Sequence, residues 1–272
     1  RAAQGPVLAK RNKNPMGGWM AVLTYIRRYW IAVAAHLAVL LAWQLFVQLG
    51  EIEPYIMPSP LATIMTLGDD NAWVHNTLFT AGEIFGGYFC AVVFGVSMAL
   101  FFSWSKLLDA ALMPLLISLN MIPKVALGPI FIVWFSYGMG SNILMAFAIS
   151  FLPILITTAR GLQEVEPDLI DLVRTLRASR WQIFTKIQLP GSLPFIFSGM
   201  KVAVVLAVAG AIVGEFIASE EGLGYLMMQR QVELDTASMF MAVLLITLIG
   251  SVLYGLVIML EKIMVPRDAR LG

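Results

Sequence analysis

Apolar stretches of about 20 residues recur along this chain with hardly a charge among them. Each is long enough to cross roughly 30 Å of hydrocarbon as a helix, and no other feature constrains the fold as much. Composition agrees: of 272 residues 59% are hydrophobic and 13% charged, where a soluble domain has about half and about a quarter. A soluble globular enzyme is therefore excluded. The runs of Leu, Ile, Val, Phe and Ala lack the outward-apolar, inward-polar alternation of a membrane barrel. The chain thus reads as an all-α integral membrane protein whose backbone polar groups are satisfied inside each helix.

The pattern predicts six spans, over about 29–49, 77–103, 107–136, 142–158, 193–218 and 239–261. Pro123 and Pro129 are expected to break the third inside the membrane, because proline lacks the N–H a helix interior uses. Before the first span, residues 1–28 read as a flexible basic arm on a membrane face. Arg1, Lys10, Arg11, Lys13, Arg27 and Arg28 come there with Pro6, Gly17 and Gly18 and with no acidic residue. A cleavable signal is the alternative, but the run from Tyr29 to Leu49 exceeds a signal's apolar region and no small-residue cleavage pattern follows it. Six spans put both termini on one side. Lys and Arg gather in the arm, at Lys106, between Arg160 and Lys186, and at Lys262, Arg267 and Arg270, whereas the opposite connections hold only Arg230. Both termini are therefore expected in the cytoplasm. The outer connections carry Glu51, Glu53, Asp69, Asp70, Glu220, Glu221, Glu233 and Asp235, an acidic rim for which solvation is a sufficient reason.

The segment from Glu164 to Pro190 is too polar to span and too regular for an idle loop. Leu169, Leu172, Val173 and Leu176 form an i, i+3, i+4, i+7 stripe, with Asp168 and Asp171 early and Arg174 and Arg177 late, as the helix dipole favours. Ser179 is placed to cap a second helix whose apolar residues are Trp181, Ile183, Phe184 and Ile187, with Pro190 ending it. Such a pair either docks into a groove on a soluble partner or lies on lipid.

At these residues the sequence resembles the transmembrane permease subunits of bacterial ABC importers, and among them the nitrate, sulfonate and taurine type. Asp171, Leu172 and Val173 stand for the family's Glu-Ala-Ala, and Ile187, Leu189 and Pro190 fall at its Ile-x-Leu-Pro ending. Arg177 takes the place of the family's glycine, where a positive φ costs arginine what it does not cost glycine. Met57-Pro58-Ser59-Pro60, the run from Ile122 to Pro129, Gly214-Glu215-Phe216 and Gly222-Leu223-Gly224-Tyr225 are similar to it as well.

Only the arm falls outside, so residues 29–272 would be the permease domain, a MetI-like core plus one N-terminal helix. The resemblance implies a multi-pass protein of the bacterial inner membrane. Its coupling helices, about 164–190, would carry Asp171, Leu172, Val173, Arg177, Ala178, Ser179, Ile187, Leu189 and Pro190 into a cleft of an ATP-binding subunit. A second permease copy forming a homodimer, and a periplasmic or lipid-anchored binding protein, are implied too, with ATP and magnesium used by the partner subunit.

No sign of catalysis competes with this. The chain has no phosphate loop of the Gly-x-x-x-x-Gly-Lys-Ser/Thr form, no His-Glu-x-x-His helix and no Gly-x-Ser-x-Gly elbow. Its lone Cys90 and two histidines, His36 and His75, leave little room for a metal site or a triad. His36 is assigned to the interior of its span or a neighbouring helix, His75 to an exposed interface and Cys90 to packing. A non-catalytic permease with no cofactor of its own and no nucleic-acid partner is expected.

Charges within spans cost at least about 2.5 kcal/mol each at mid-bilayer unless paired or watered, which singles out Glu83, Lys124 and Glu215. Lys124, beside Pro123 at the break, is the first choice for the translocation path, with Pro123, Glu215 and Glu83 as further candidates. The alternative is an ion pair with Glu215 or Glu83. For the two glutamates snorkelling favours a structural part, and Lys201 and Asp109 read as anchors of helix ends. Met121, Met139, Met145, Met227 and Met228 read as adaptable core rather than a soft-metal path. Gly82, Gly86, Gly87, Gly95, Gly210 and Gly214 predict close helix approach in a bundle or at a dimer seam. The substrate expected is a small anion or small organic solute: nitrate, bicarbonate, a sulfonate or taurine, an aromatic acid or a vitamin precursor. The rival reading is a secondary transporter or channel without an ATPase.

Overall fold

A computed structural model describes residues 16–69, 71–103, 106–164 and 167–266. It divides into two compact units, residues 1–62 and 63–272. Helix α1 (Met16–Leu49) fills most of the first unit, and α2 (Pro60–Met65) begins at its end. Of the arm expected to be flexible, residues 1–15 lie outside the described residues, while the helix starts at Met16 rather than near Tyr29. From Trp19 the sequence contains only helix-compatible residues up to the span, so an established helix extends backwards at little cost. His36 Nδ1 lies 2.7 Å from the Ala32 carbonyl oxygen one turn back.

The second unit holds α3 (Trp73–Ser103), α4 (Lys106–Asn120), α5 (Gly128–Phe135), α6 (Met139–Gln163), α7 (Pro167–Thr175), α8 (Arg180–Ile183), α9 (Leu189–Ala218), α10 (Leu223–Val232) and α11 (Thr236–Met264). No strand occurs among the described residues. Five helices are long and apolar enough to cross a membrane, or six when α4 and α5 count as one broken span. The break bends that span by 84°. Pro123 sits in the break, followed by a 3₁₀ turn over Lys124–Leu127. Pro129 breaks nothing: it lies in the first turn of α5, where no N–H is required. Pro190 likewise does not end α8. The chain continues through a π-helical turn, Phe184–Gln188, into the first turn of α9, where proline is tolerated.

Helix α6 is the centre of this unit and packs most extensively on α9 and α3. In hydrocarbon there is no hydrophobic drive between helices, so tight van der Waals contact has to hold them together, and small residues permit it. Ala146, fully buried on α6, lies between Gly87 of α3 and Gly210 of α9. A Cβ at Gly87 would fall 2.5 Å from the Ala146 Cβ, and one at Gly210 would fall 2.7 Å from its Cα. Gly95 and Gly214 also meet the α6 backbone, so the glycines of α3 and α9 serve a seam inside this chain. Across α9, Lys201 does more than anchor a helix end: its Nζ pairs with Glu261 Oε1 of α11 at 2.9 Å, holding two charges in the bundle as one neutral unit.

Candidate functional site

Two polar arrangements flank α9, one before its start and one after its end. Before it, α7 closes with a turn in which Arg177 adopts φ +60. The Ala178 N–H donates to the Val173 carbonyl at 3.0 Å and the Arg177 N–H to the Arg174 carbonyl at 2.9 Å. Together these bonds form the 6→1 and 5→2 closure of a Schellman motif, with arginine where glycine is usual. The sharp turn is therefore kept despite the substitution, at a conformational cost of about 1–2 kcal/mol. Two residues later α8 opens on a capping box: Ser179 Oγ accepts from the Gln182 N–H at 3.2 Å, and Gln182 Oε1 accepts from the Ser179 N–H at 2.8 Å.

The turn fixes which side chains face outward. Leu172, Leu176 and Trp181 are exposed, Leu176 to 73%, while Ile183 is buried and Val173, Ile187 and Leu189 are half-buried. Asp171 is exposed and paired with Arg174 at 3.1 Å. A hollow of about 390 Å³ lies between the two helices, lined by Val173, Leu176, Arg177, Gln182 and Ile187 among others. Pro190 is exposed at the start of α9. Exposed leucines and a tryptophan thus sit beside an open hollow.

After α9, the first four N–H groups of α10 point into the protein, where water cannot serve them. Each finds a side chain from another helix. Asn76 Oδ1 accepts from the Gly222 N–H at 2.9 Å, and Thr80 Oγ1 accepts from the Leu223 N–H at 2.8 Å. Glu215 Oε2 accepts from the Gly224 and Tyr225 N–H groups at 2.5 and 3.3 Å. The Thr80 hydroxyl donates to Glu215 Oε1 at 2.6 Å. A carboxylate from α9 thus caps α10 at the positive end of its dipole. Gly222 permits the approach, since it holds φ +104 and any Cβ there would collide with the Glu215 carboxyl. Next to Glu215 lies Glu83, whose Oε1 accepts from Asn142 Nδ2 at 2.7 Å. Both glutamates are fully buried, so neither snorkels.

Lys124 joins neither. Its Nζ donates to Asn120, to Oδ1 at 2.5 Å and to the carbonyl oxygen at 3.2 Å, which rules out the ion pair with Glu83 or Glu215 in this conformation. It caps the end of α4 across the Pro123 break. His75 sits exposed, 3.4 Å from Glu221. The side chain of Asp109 lies outside the described residues. Sequence reasoning found Glu83 and Glu215 but missed Asn76, Thr80 and Asn142; the available signal was an amide or hydroxyl inside an otherwise apolar span. No group of three or more metal-ligating side chains occurs among the described residues.

Comparison with known proteins agrees with this architecture. The family of binding-protein-dependent transport system inner membrane components matches residues 91–267. A probable ABC transporter permease protein of Haemophilus influenzae is 36% identical over 79% of this chain and 88% of its own length. A riboflavin transport system permease protein of Chloroflexus aurantiacus is 34% identical over 85% and 87%. Among solved structures, the inward-facing MetNI methionine ABC transporter superposes with TM-score 0.53 at 20% identity, covering 67% of this chain and 94% of that one, a likeness of fold. The chain belongs to the binding-protein-dependent transport system inner membrane component family, the membrane permeases of ABC transporters.

Proposed function

We propose that this permease imports a small solute in an ATP-driven complex, with α7, α8 and the turn between them as its coupling helices. The observation that carries the reading is the pairing of an exposed Leu172–Leu176–Trp181 surface with a turn rigidly closed at both sides, at Arg177 and at Ser179. A rigid apolar face transmits a push from a partner. A mobile loop would absorb it.

In this reading two ATP-binding subunits, which use ATP and magnesium, grip Asp171 to Pro190 from the cytoplasm. Both termini lie on that side, in line with the distribution of Lys and Arg. A second copy of the chain completes the path, lined near Pro123 and Lys124 where the broken span supplies non-helical backbone. A periplasmic or lipid-anchored binding protein delivers the solute to the opposite face. The substrate is a small anion or small organic solute, and the likeness to a riboflavin permease favours the organic class. Glu83 and Glu215 serve the scaffold rather than the solute, because both are fully buried and Glu215 already accepts three bonds within the protein.

Co-purification tests the core of this. The tagged chain is expected to retain its ATP-binding subunit, and Asp171→Arg with Leu172→Glu to lose it while keeping the same size-exclusion profile. Full retention by that variant, or uptake that follows an ion gradient without any ATPase, overturns the reading in favour of a secondary transporter.

A further inference from the structure

The acceptors around α10 outnumber the donors that the heavy atoms alone supply. Glu215 takes up three donors, from Thr80, Gly224 and Tyr225. Glu83 Oε1 takes up one, from Asn142, while Glu83 Oε2 is fully buried and has none. Yet the Glu83 carboxyl lies within hydrogen-bonding reach of the Glu215 carboxyl, acceptor facing acceptor. No Lys, Arg or His pairs with either group among the described residues. The groups facing them are Asn142 of α6, Thr80 of α3 itself and the amides that open α10, all uncharged. The charged pairs present elsewhere, Arg174 with Asp171, Lys201 with Glu261, Arg230 with Glu233 and His75 beside Glu221, involve other carboxylates.

We propose that Glu83 and Glu215 bind a single proton between them, carried by Glu83, and that this proton locks the start of α10 to α3, α6 and α9. Two adjacent buried carboxylates without a cation cannot both stay ionised. A hydrogen on Glu83 supplies the donor that this pair lacks, since the two carboxyls lie within hydrogen-bonding reach and one Glu83 oxygen is buried without a partner. The reverse placement fails on geometry. Glu215 already meets an O–H and two N–H donors and sits at a helix N-terminus, where negative charge is favoured. Its oxygens have to accept, whereas Glu83 has one oxygen free to donate.

Without the proton, two facing anions would push α10 away from its seat.

Infrared spectroscopy of the full chain in lipid nanodiscs tests the assignment, with wild type compared against Glu83→Gln. The Gln amide donates to Glu215 and accepts from Asn142, so this variant keeps the geometry without the titratable proton. The expected difference is a protonated-carboxyl carbonyl band in wild type that vanishes in Glu83→Gln. Absence of the band from wild type at neutral pH overturns the proposal. So does its persistence in Glu83→Gln with loss in Glu215→Gln, which puts the proton on the other partner. A wild-type carboxylate spectrum that shifts with sodium at fixed pH also overturns it, because the site then holds a metal cation instead.

Discussion

The turn before α9 is held by bonds between residues three to five positions apart, whereas α10 after it is held by Asn76 and Thr80 from 146 and 143 positions away and by Glu215 from nine and ten, itself bonded to Thr80 across 135. The first region leaves Leu172, Leu176 and Trp181 outside, and the second hides every polar group it uses. A locally closed turn keeps its shape whatever docks on it. A site assembled from α3, α6 and α9 keeps its shape only while those helices stay packed. The contrast suits a protein that offers one face to a partner and needs the far end of α9 fixed to the rest of the bundle.

This difference can be broken most severely at the buried end. Glu215→Ala deletes the acceptor for Thr80, Gly224 and Tyr225, and bonds to a charged group are each worth about 1.5–3 kcal/mol. A loss of about 3 kcal/mol or more is expected, read as a lower midpoint in detergent-titrated or thermal unfolding; an unchanged midpoint would show that α10 is not held there. Next comes the seam that carries the network. Gly87→Leu forces atoms against Ala146, where even a Cβ comes within 2.5 Å, and overpacking of this kind costs about 1–3 kcal/mol. The same unfolding assay ranks it below Glu215→Ala if the polar network outweighs packing.

At the exposed end the effects are smaller and differ in kind. Arg177→Gly removes the strain of φ +60 and is expected to stabilise the turn by about 1 kcal/mol, seen as slower amide exchange at Ala178 with partner binding intact. Replacing Leu172 and Leu176 together by Glu should move the unfolding midpoint by less than about 0.5 kcal/mol, as exposed substitutions do, while abolishing co-purification of the ATP-binding subunit. A large loss of stability there would mean that the face belongs to the chain's own core.

The exposed region was legible because its signals are local. The stripe from Leu169 to Leu176 and the cap at Ser179 each depend on close neighbours in sequence, while the turn at Arg177 was not legible, because arginine stands where glycine is usual. Even so, the reading of Pro190 as a helix end failed, since a first-turn proline and an interior one look alike until the helix boundary is known. The buried region was half legible. Hydrocarbon makes any charge conspicuous, so Glu83, Lys124 and Glu215 stood out, but their partners did not. Lys124 chose Asn120, one turn away, over glutamates far along the chain.

The sequence by itself determined the class of this protein, since long uncharged apolar runs have no stable solution in a membrane except the helix, and it located the helix pair here proposed to face a partner. Only the tertiary structure decided that Glu83 meets Glu215, that Thr80 and Asn76 close the start of α10, and that Lys201 answers Glu261. The reason is physical: helix formation is governed by bonds four residues long, while which buried donor meets which acceptor depends on how glycine-lined helices slide together, and no local pattern encodes that register.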